Sequence, residues 1–209
     1  MRGGFMSIVR GCSLAALFVL LCCPSAFSVL TPTGQVQETV DQVVEVLRKQ
    51  EFQGLARREK LSGLIRSRFD FAIMSQRTLG KYWKQANPAE QEQFVNLYSD
   101  LLEASYIGRI EAYTDEKVSY EKETIEEDRA VVSTLIHSGN VAIPIEYRLV
   151  LNGEEWFVYD VVVEDISLIK NYRSSYGEIV RKNGFSELFA LMREKIKKLH
   201  EEPAQTVAN

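Results

Sequence analysis

The chain has 209 residues, of which 29 are acidic and 25 basic, giving a formal net charge of −4, and 45% are hydrophobic. That is enough apolar material for one sizeable core. The net acidity argues against a nucleic-acid partner and against charge-driven attachment to anionic membrane surfaces.

In chain order, residues 1–28 read as a secretory signal peptide. Arg2 and Arg10 give a positive start, and Cys12 to Cys23 is an uncharged apolar run. Pro24 follows, and Ala26-Phe27-Ser28 sets small residues at the two positions a signal peptidase reads, so cleavage is expected after Ser28. The apolar run is shorter than the roughly 20 residues a transmembrane helix needs. Cys12, Cys22 and Cys23, the three cysteines of the chain, leave with the signal. The remainder must then be held by packing, although it enters a compartment where disulfides form. Losing Arg2 and Arg10 takes the charge from −4 to −6. What remains is expected to be a single domain over 29–200 and a polar tail over 201–209.

The spacing of Val36, Val40, Val43, Val44 and Leu47 predicts a helix over Thr33 to Lys49. A second helical stretch, Leu55 to Arg68, is expected to be broken by Gly63, and a third runs from Phe69 to Leu79 with Gly80 as its stop. Asn87-Pro88-Ala89-Glu90 has the residues of a capping box with proline at the first helical position. The helix it starts carries Phe94, Leu97, Tyr98, Leu101 and Leu102 on one face and reaches about Ile110.

The period then changes to two. Lys117 to Lys122, Arg129 to Ser138, Ala142 to Leu151 and Glu155 to Glu164 read as four strands of an antiparallel meander. Turn signals separate them, of which Asn152-Gly153 is the strongest. Strict alternation puts Ile143, Ile145, Tyr147, Leu149 and Leu151 on one face with Trp156, Val158 and Val162. Asp160 falls on that apolar face and needs a partner, for which Arg173 and Lys170 are the candidates. The opposite face mixes Val150, Phe157, Tyr159, Val161 and Val163 with Glu146 and Arg148. Even that face is half apolar, so both faces need at least partial cover. A helix through Tyr172, Tyr176 and Val180 ends at Asn183-Gly184, and Ser186 caps a last one. The fold class is α+β, a twisted four-stranded antiparallel sheet packed with N- and C-terminal helices.

The residues contain no catalytic signature. His137 and His200, the two histidines, lack a second histidine or a suitably spaced carboxylate, so no metal site and no cofactor is expected. Glu164 and Asp165 are adjacent, and neighbours on a strand point to opposite faces, so they do not converge on one substrate. A small enzyme on this kind of fold is the rival class. His137 and Asp160 are its only serious candidates.

Several blocks, in order, resemble the MlaC, or toluene-tolerance, family. They are Phe69-Asp70-Phe71 with Met74; Leu79-Gly80-Lys81-Tyr82-Trp83; Gln93-Phe94 with Leu101-Leu102 and Tyr106; and Ile143-Pro144-Ile145-Glu146-Tyr147-Arg148-Leu149. Trp156 to Glu164 with Ile166-Ser167-Leu168, then Asn171-Tyr172-Arg173 and Lys182-Asn183-Gly184, complete the series. Asp165 stands where the family usually has glycine. The resemblance implies a periplasmic phospholipid carrier serving an ABC-type transport system that maintains outer-membrane lipid asymmetry. Its implied partners are an inner-membrane transporter complex and an outer-membrane lipoprotein component. It also implies acyl chains held in an apolar cavity between sheet and helices. Where the strands meet the flanking helices, Tyr106, Tyr147, Val161, Val163, Ile166 and Leu168 are the expected wall of that slot. A hopanoid is the alternative lipid. Arg66, Arg68, Lys81 and Lys84 are candidates for docking surfaces.

Overall fold

The computed structural model describes residues 30–113 and 116–201. The expected signal peptide and nearly all of the expected tail lie outside the described residues.

Helix α1 (Pro32–Arg48) starts where Thr31 accepts a hydrogen bond from the Gly34 amide, with proline in its first turn. Helix α2 (Gly54–Arg68) runs unbroken through Gly63, against expectation. A helical glycine costs only about 1 kcal/mol relative to alanine, and burial of Leu61 beside Val46 and Ile107 outweighs that. Helix α3 (Phe71–Leu79) is capped by Asp70, which accepts from the Ile73 amide at 2.8 Å. It ends at Gly80, whose φ of 55° and ψ of −121° suit glycine alone. A 3₁₀ segment over Gly80–Gln85 leads to α4 (Pro88–Glu111). There the expected capping box is formed, Asn87 accepting from the Glu90 amide and Glu90 from the Asn87 amide.

The sheet has five antiparallel strands in sequential order, one more than expected: β1 (Lys117–Glu126), β2 (Arg129–Ser138), β3 (Val141–Asn152), β4 (Glu155–Val163) and β5 (Ile166–Ser167). The first strand outruns its expected end at Lys122 because a bulge at Glu121 restores pairing up to Glu126. The fifth is a two-residue strand returned by the turn Glu164-Asp165, in which both residues have positive φ, 48° and 66°. So short a strand shows no period in the sequence. Helix α5 (Leu168–Glu201) is broken at Gly184, with φ 82° and ψ 178°, into the two helices that the Asn183-Gly184 signal predicted.

A second bulge corrects the expected faces. Leu149 pairs with Val158, but Arg148 pairs with Asp160, so Tyr159 is the extra residue. The slip of one residue reverses everything after it. Val161 and Val163 join Tyr147 and Ile145 on the Leu149 face, while Val162 and Asp160 join Glu146 and Arg148. At the edge of β4, Phe69 bridges Val158 and the Asp70 amide donates to the Val158 carbonyl at 2.9 Å. Helix α1 packs on β1, β2 and β4, and α3 and α5 pack on β4 with α4 behind them. Both expectations of covered faces hold in this way, with Val132 and Leu149 fully buried on one face and Val150 buried on the other.

Candidate functional site

Among the described residues, two apolar clusters form the interior. The larger gathers Phe94, Tyr98, Val132, Leu149 and Leu188 among others, with Val40 and Tyr106 at its fringe. The smaller gathers Val46, Leu61 and Ile107, with Val43 at its fringe. The boundary between them therefore crosses α1 between Val40 and Val43, and α4 between Tyr106 and Ile107. Tyr106 and Tyr120 reach it, and Tyr147 and Tyr172 stand next to them on the side of the larger cluster. Tyr120 of β1 stands near Asp41 of α1 and near Tyr147 of β3, and Tyr106 of α4 stands near Tyr172 of α5. Burial pushes the Tyr120 and Tyr147 hydroxyls up to about 12 and raises those of Tyr106 and Tyr172 as well. Arg109 lies over the Tyr106 ring, 5.6 Å from its centroid. The hydroxyls of this belt of tyrosines are themselves withdrawn from water, with Thr134 beside that of Tyr147 and Ser105 beside that of Tyr172.

Five of the six expected wall residues fall in or against this interior. Val161 pairs with Tyr147 and Val163 with Ile145 on one sheet face, Leu168 is buried at the start of α5, and Tyr106 packs on the larger cluster. Ile166 does not join them: it is 61% exposed beyond the Glu164-Asp165 turn. Two surface grooves, of about 350 Å³ and 220 Å³, lie elsewhere. The first is between α4 and α5 at Gln93, Leu97 and Arg193, the second on the strands at Leu135, Pro144 and Glu146.

Asp160 finds its partners, and they are not Arg173 or Lys170. It is 2% exposed and accepts from Ser167 Oγ at 2.7 Å, the Ile169 amide at 3.2 Å and Arg148 Nη1 at 3.3 Å. The bulge brings Arg148 opposite it, which is why strict alternation missed the pair. Arg173 instead donates from Nε to the Arg77 carbonyl at 2.9 Å, and Lys170 is exposed. A carboxylate held by three donors at 2% exposure fixes β4 to the start of α5 and does not face a cleft. Glu164 and Asp165 are exposed in their turn. His137 is exposed at the sheet end and lies 3.1 Å from Ser119 Oγ, with no part in the Asp160 network. Among the described residues no group of three or more histidine, cysteine or acidic side chains converges as metal ligands would. No described helix is long and apolar enough to cross a membrane. Of the docking candidates, Arg66 is engaged by Asp100 and Glu103, both at 2.7 Å, and Arg68 by Glu155 at 3.5 Å.

This geometry defines the class: an α+β protein whose antiparallel sheet is wrapped by helices around an apolar interior rimmed with tyrosine. The chain belongs to the MlaC family, whose model, described as MlaC protein, matches residues 37–194. It is 24% identical over 124 residues to the intermembrane phospholipid transport system binding protein MlaC of Haemophilus influenzae, covering 56% of this chain and 58% of that protein. It is 26% identical over 106 residues to the toluene tolerance protein ttg2D of Pseudomonas putida, covering 50% of this chain and 49% of that protein. The chain thus matches about half the length of these curated relatives. A solved phospholipid-binding protein from Ralstonia solanacearum, in complex with a phospholipid, shares the fold with a TM-score of 0.73. The identity there is 22%, and the match covers 79% of this chain and 97% of the other.

Proposed function

We propose that the chain is a periplasmic phospholipid carrier of an ABC-type intermembrane transport system. It takes lipid between an outer-membrane lipoprotein component and an inner-membrane transporter complex. The observation that carries this reading is the tyrosine belt at the boundary of the two apolar clusters. Moving a lipid through water means hiding its tails, and each buried CH₂ is worth about 0.8 kcal/mol. Two acyl chains therefore need a long apolar slot more than they need a polar site. A boundary between two separately packed clusters opens at less cost than a single continuous core, because fewer contacts cross it. The slot then has Tyr147, Val161 and Val163 on the sheet side, with Tyr106 and Leu168 on the helix side. Ile166 stands outside it. The family membership and the phospholipid-bound neighbour support the same ligand class.

Catalysis has no part in this reading, since the one acid buried among the described residues is committed to holding β4, β3 and α5 together. Mass spectrometry of lipid extracted from the purified full chain tests it. Phospholipid with two acyl chains is expected. A hopanoid would change the ligand, and protein carrying no lipid at all would overturn the assignment.

A further inference from the structure

Among the described residues, three side-chain hydroxyls are buried with no hydrogen-bond partner: Ser75 Oγ and Thr78 Oγ1 of α3, and Tyr98 Oη of α4. All three residues are fully buried, at 0% exposure. A buried hydroxyl left unpaired is costly, and alanine, valine and phenylalanine would fill the same shapes without that cost. Ser75 and Thr78 lie three residues apart on one helix face. The Thr78 hydroxyl is close enough to that of Tyr98 to lower it, but burial outweighs this and holds Tyr98 well above the ordinary tyrosine range. A bond between the two uses one proton and leaves the other free to be donated. The Tyr98 ring meets Tyr172 edge-on at 5.6 Å, and Tyr172 stands near Tyr106. A line of tyrosines thus joins the belt to the three hydroxyls.

Resting on the lipid-carrier reading, we propose that Ser75, Thr78 and Tyr98 form the polar subsite of the slot and donate hydrogen bonds to the ester carbonyls of a diacyl lipid. An ester carbonyl only accepts, and an unpaired hydroxyl has a proton to donate, so each completes the other. The methylenes of an acyl chain offer nothing to these groups. Asp160 makes no hydrogen bond to any of the three and is held instead by Ser167, the Ile169 amide and Arg148. Its charge lies close enough to Tyr98 to raise that hydroxyl further, which disfavours a free fatty carboxylate at the subsite and favours a neutral ester. Arg173, the residue after Tyr172, is exposed and tied to the carbonyl of Arg77, the residue before Thr78. One exposed guanidinium thus stands at the surface beside this part of α3, where the phosphate of a bound lipid would meet water.

The test uses the full chain exchanged against vesicles holding equal amounts of diacyl and dialkyl-ether phosphatidylglycerol, matched in chain length. The two lipids differ only in the carbonyls. Mass spectrometry of the retained lipid should show the ester form preferred about fivefold to tenfold, the worth of roughly one net hydrogen bond. Thr78→Val with Tyr98→Phe should bring the ratio to about one while lipid is still retained. Ser75→Ala, which deletes a single oxygen, should lower the ratio part of the way. A merely structural role would alter stability and leave the ratio alone. Equal retention of the two lipids by the unaltered chain overturns the subsite, as does a preference that survives both substitutions. Retention of neither lipid overturns the carrier reading and the subsite with it.

Discussion

Asp160 of β4 and Ser167 of β5 are joined by a 2.7 Å hydrogen bond from the serine hydroxyl to the carboxylate. The same serine accepts from the Lys170 amide at 3.1 Å, and the same aspartate accepts from the Ile169 amide, so the first turn of α5 is anchored to the sheet through this pair. Arg148 of β3 completes the group. Because the carboxylate is nine-tenths buried and more, removing it strands three donors. We expect Asp160→Ala to cost about 3 kcal/mol in urea unfolding, near the loss seen when one partner of a buried ion pair is deleted. Asp160→Asn keeps the shape and should cost about half as much. A loss for the alanine variant under about 1 kcal/mol would show that the network contributes little.

The β4–β5 turn is built against local preference. Glu164 and Asp165 both sit at positive φ, a conformation that Asn-Gly adopts with little strain and that larger residues resist. Replacing the pair by Asn-Gly should raise stability by about 1 kcal/mol, read as a higher urea midpoint at unchanged slope. Neither carboxylate makes a bond that holds the fold, so no compensating loss is expected.

Alkaline pH should weaken the fold through the belt. Tyr120 and Tyr147 are pushed up to about 12 by burial. An unfolded tyrosine ionises near 10, so above that pH the unfolded chain sheds protons which the folded chain keeps. The stability from these groups is complete below about pH 10 and is lost as pH rises through about 12, on the order of 1–2 kcal/mol per tyrosine. Tyr147→Phe should flatten this loss in unfolding curves taken from pH 9 to 12. A slope unchanged by the substitution would place the Tyr147 ring in water.

Much of the frame was legible in the sequence, because local rules and tertiary packing agreed. Asn87-Pro88-Ala89-Glu90 folds as the capping box its residues specify, and the expected β3–β4 hairpin forms one residue on from its Asn152-Gly153 signal: Asn152 pairs with Glu155, and Gly153, at φ 63°, and Glu154 make the turn. Two kinds of feature were hidden. A bulge adds one residue with no mark of its own, so the extra Tyr159 moved Val161, Val163 and Asp160 to faces that alternation could not give. Apolar character also does not reveal which way a side chain points. Ile166 is as hydrophobic as Leu168, yet it stands 61% exposed while Leu168 is 8% exposed. The unpaired hydroxyls of Ser75, Thr78 and Tyr98 were invisible for a related reason, since serine, threonine and tyrosine on helix faces are ordinary until their partners can be counted.

Photo-crosslinking from the belt tests the central claim most directly. A benzophenone-bearing phenylalanine analogue in place of Tyr106 puts a reactive ring at the boundary of the two clusters, and the same analogue at Leu55, 74% exposed on α2, serves as the control. Irradiation of the lipid-loaded chain should give a protein adduct heavier by one phospholipid from position 106 and none from position 55. An adduct from position 55 alone, or none from 106 in a chain that carries lipid, would contradict a slot along the tyrosine belt.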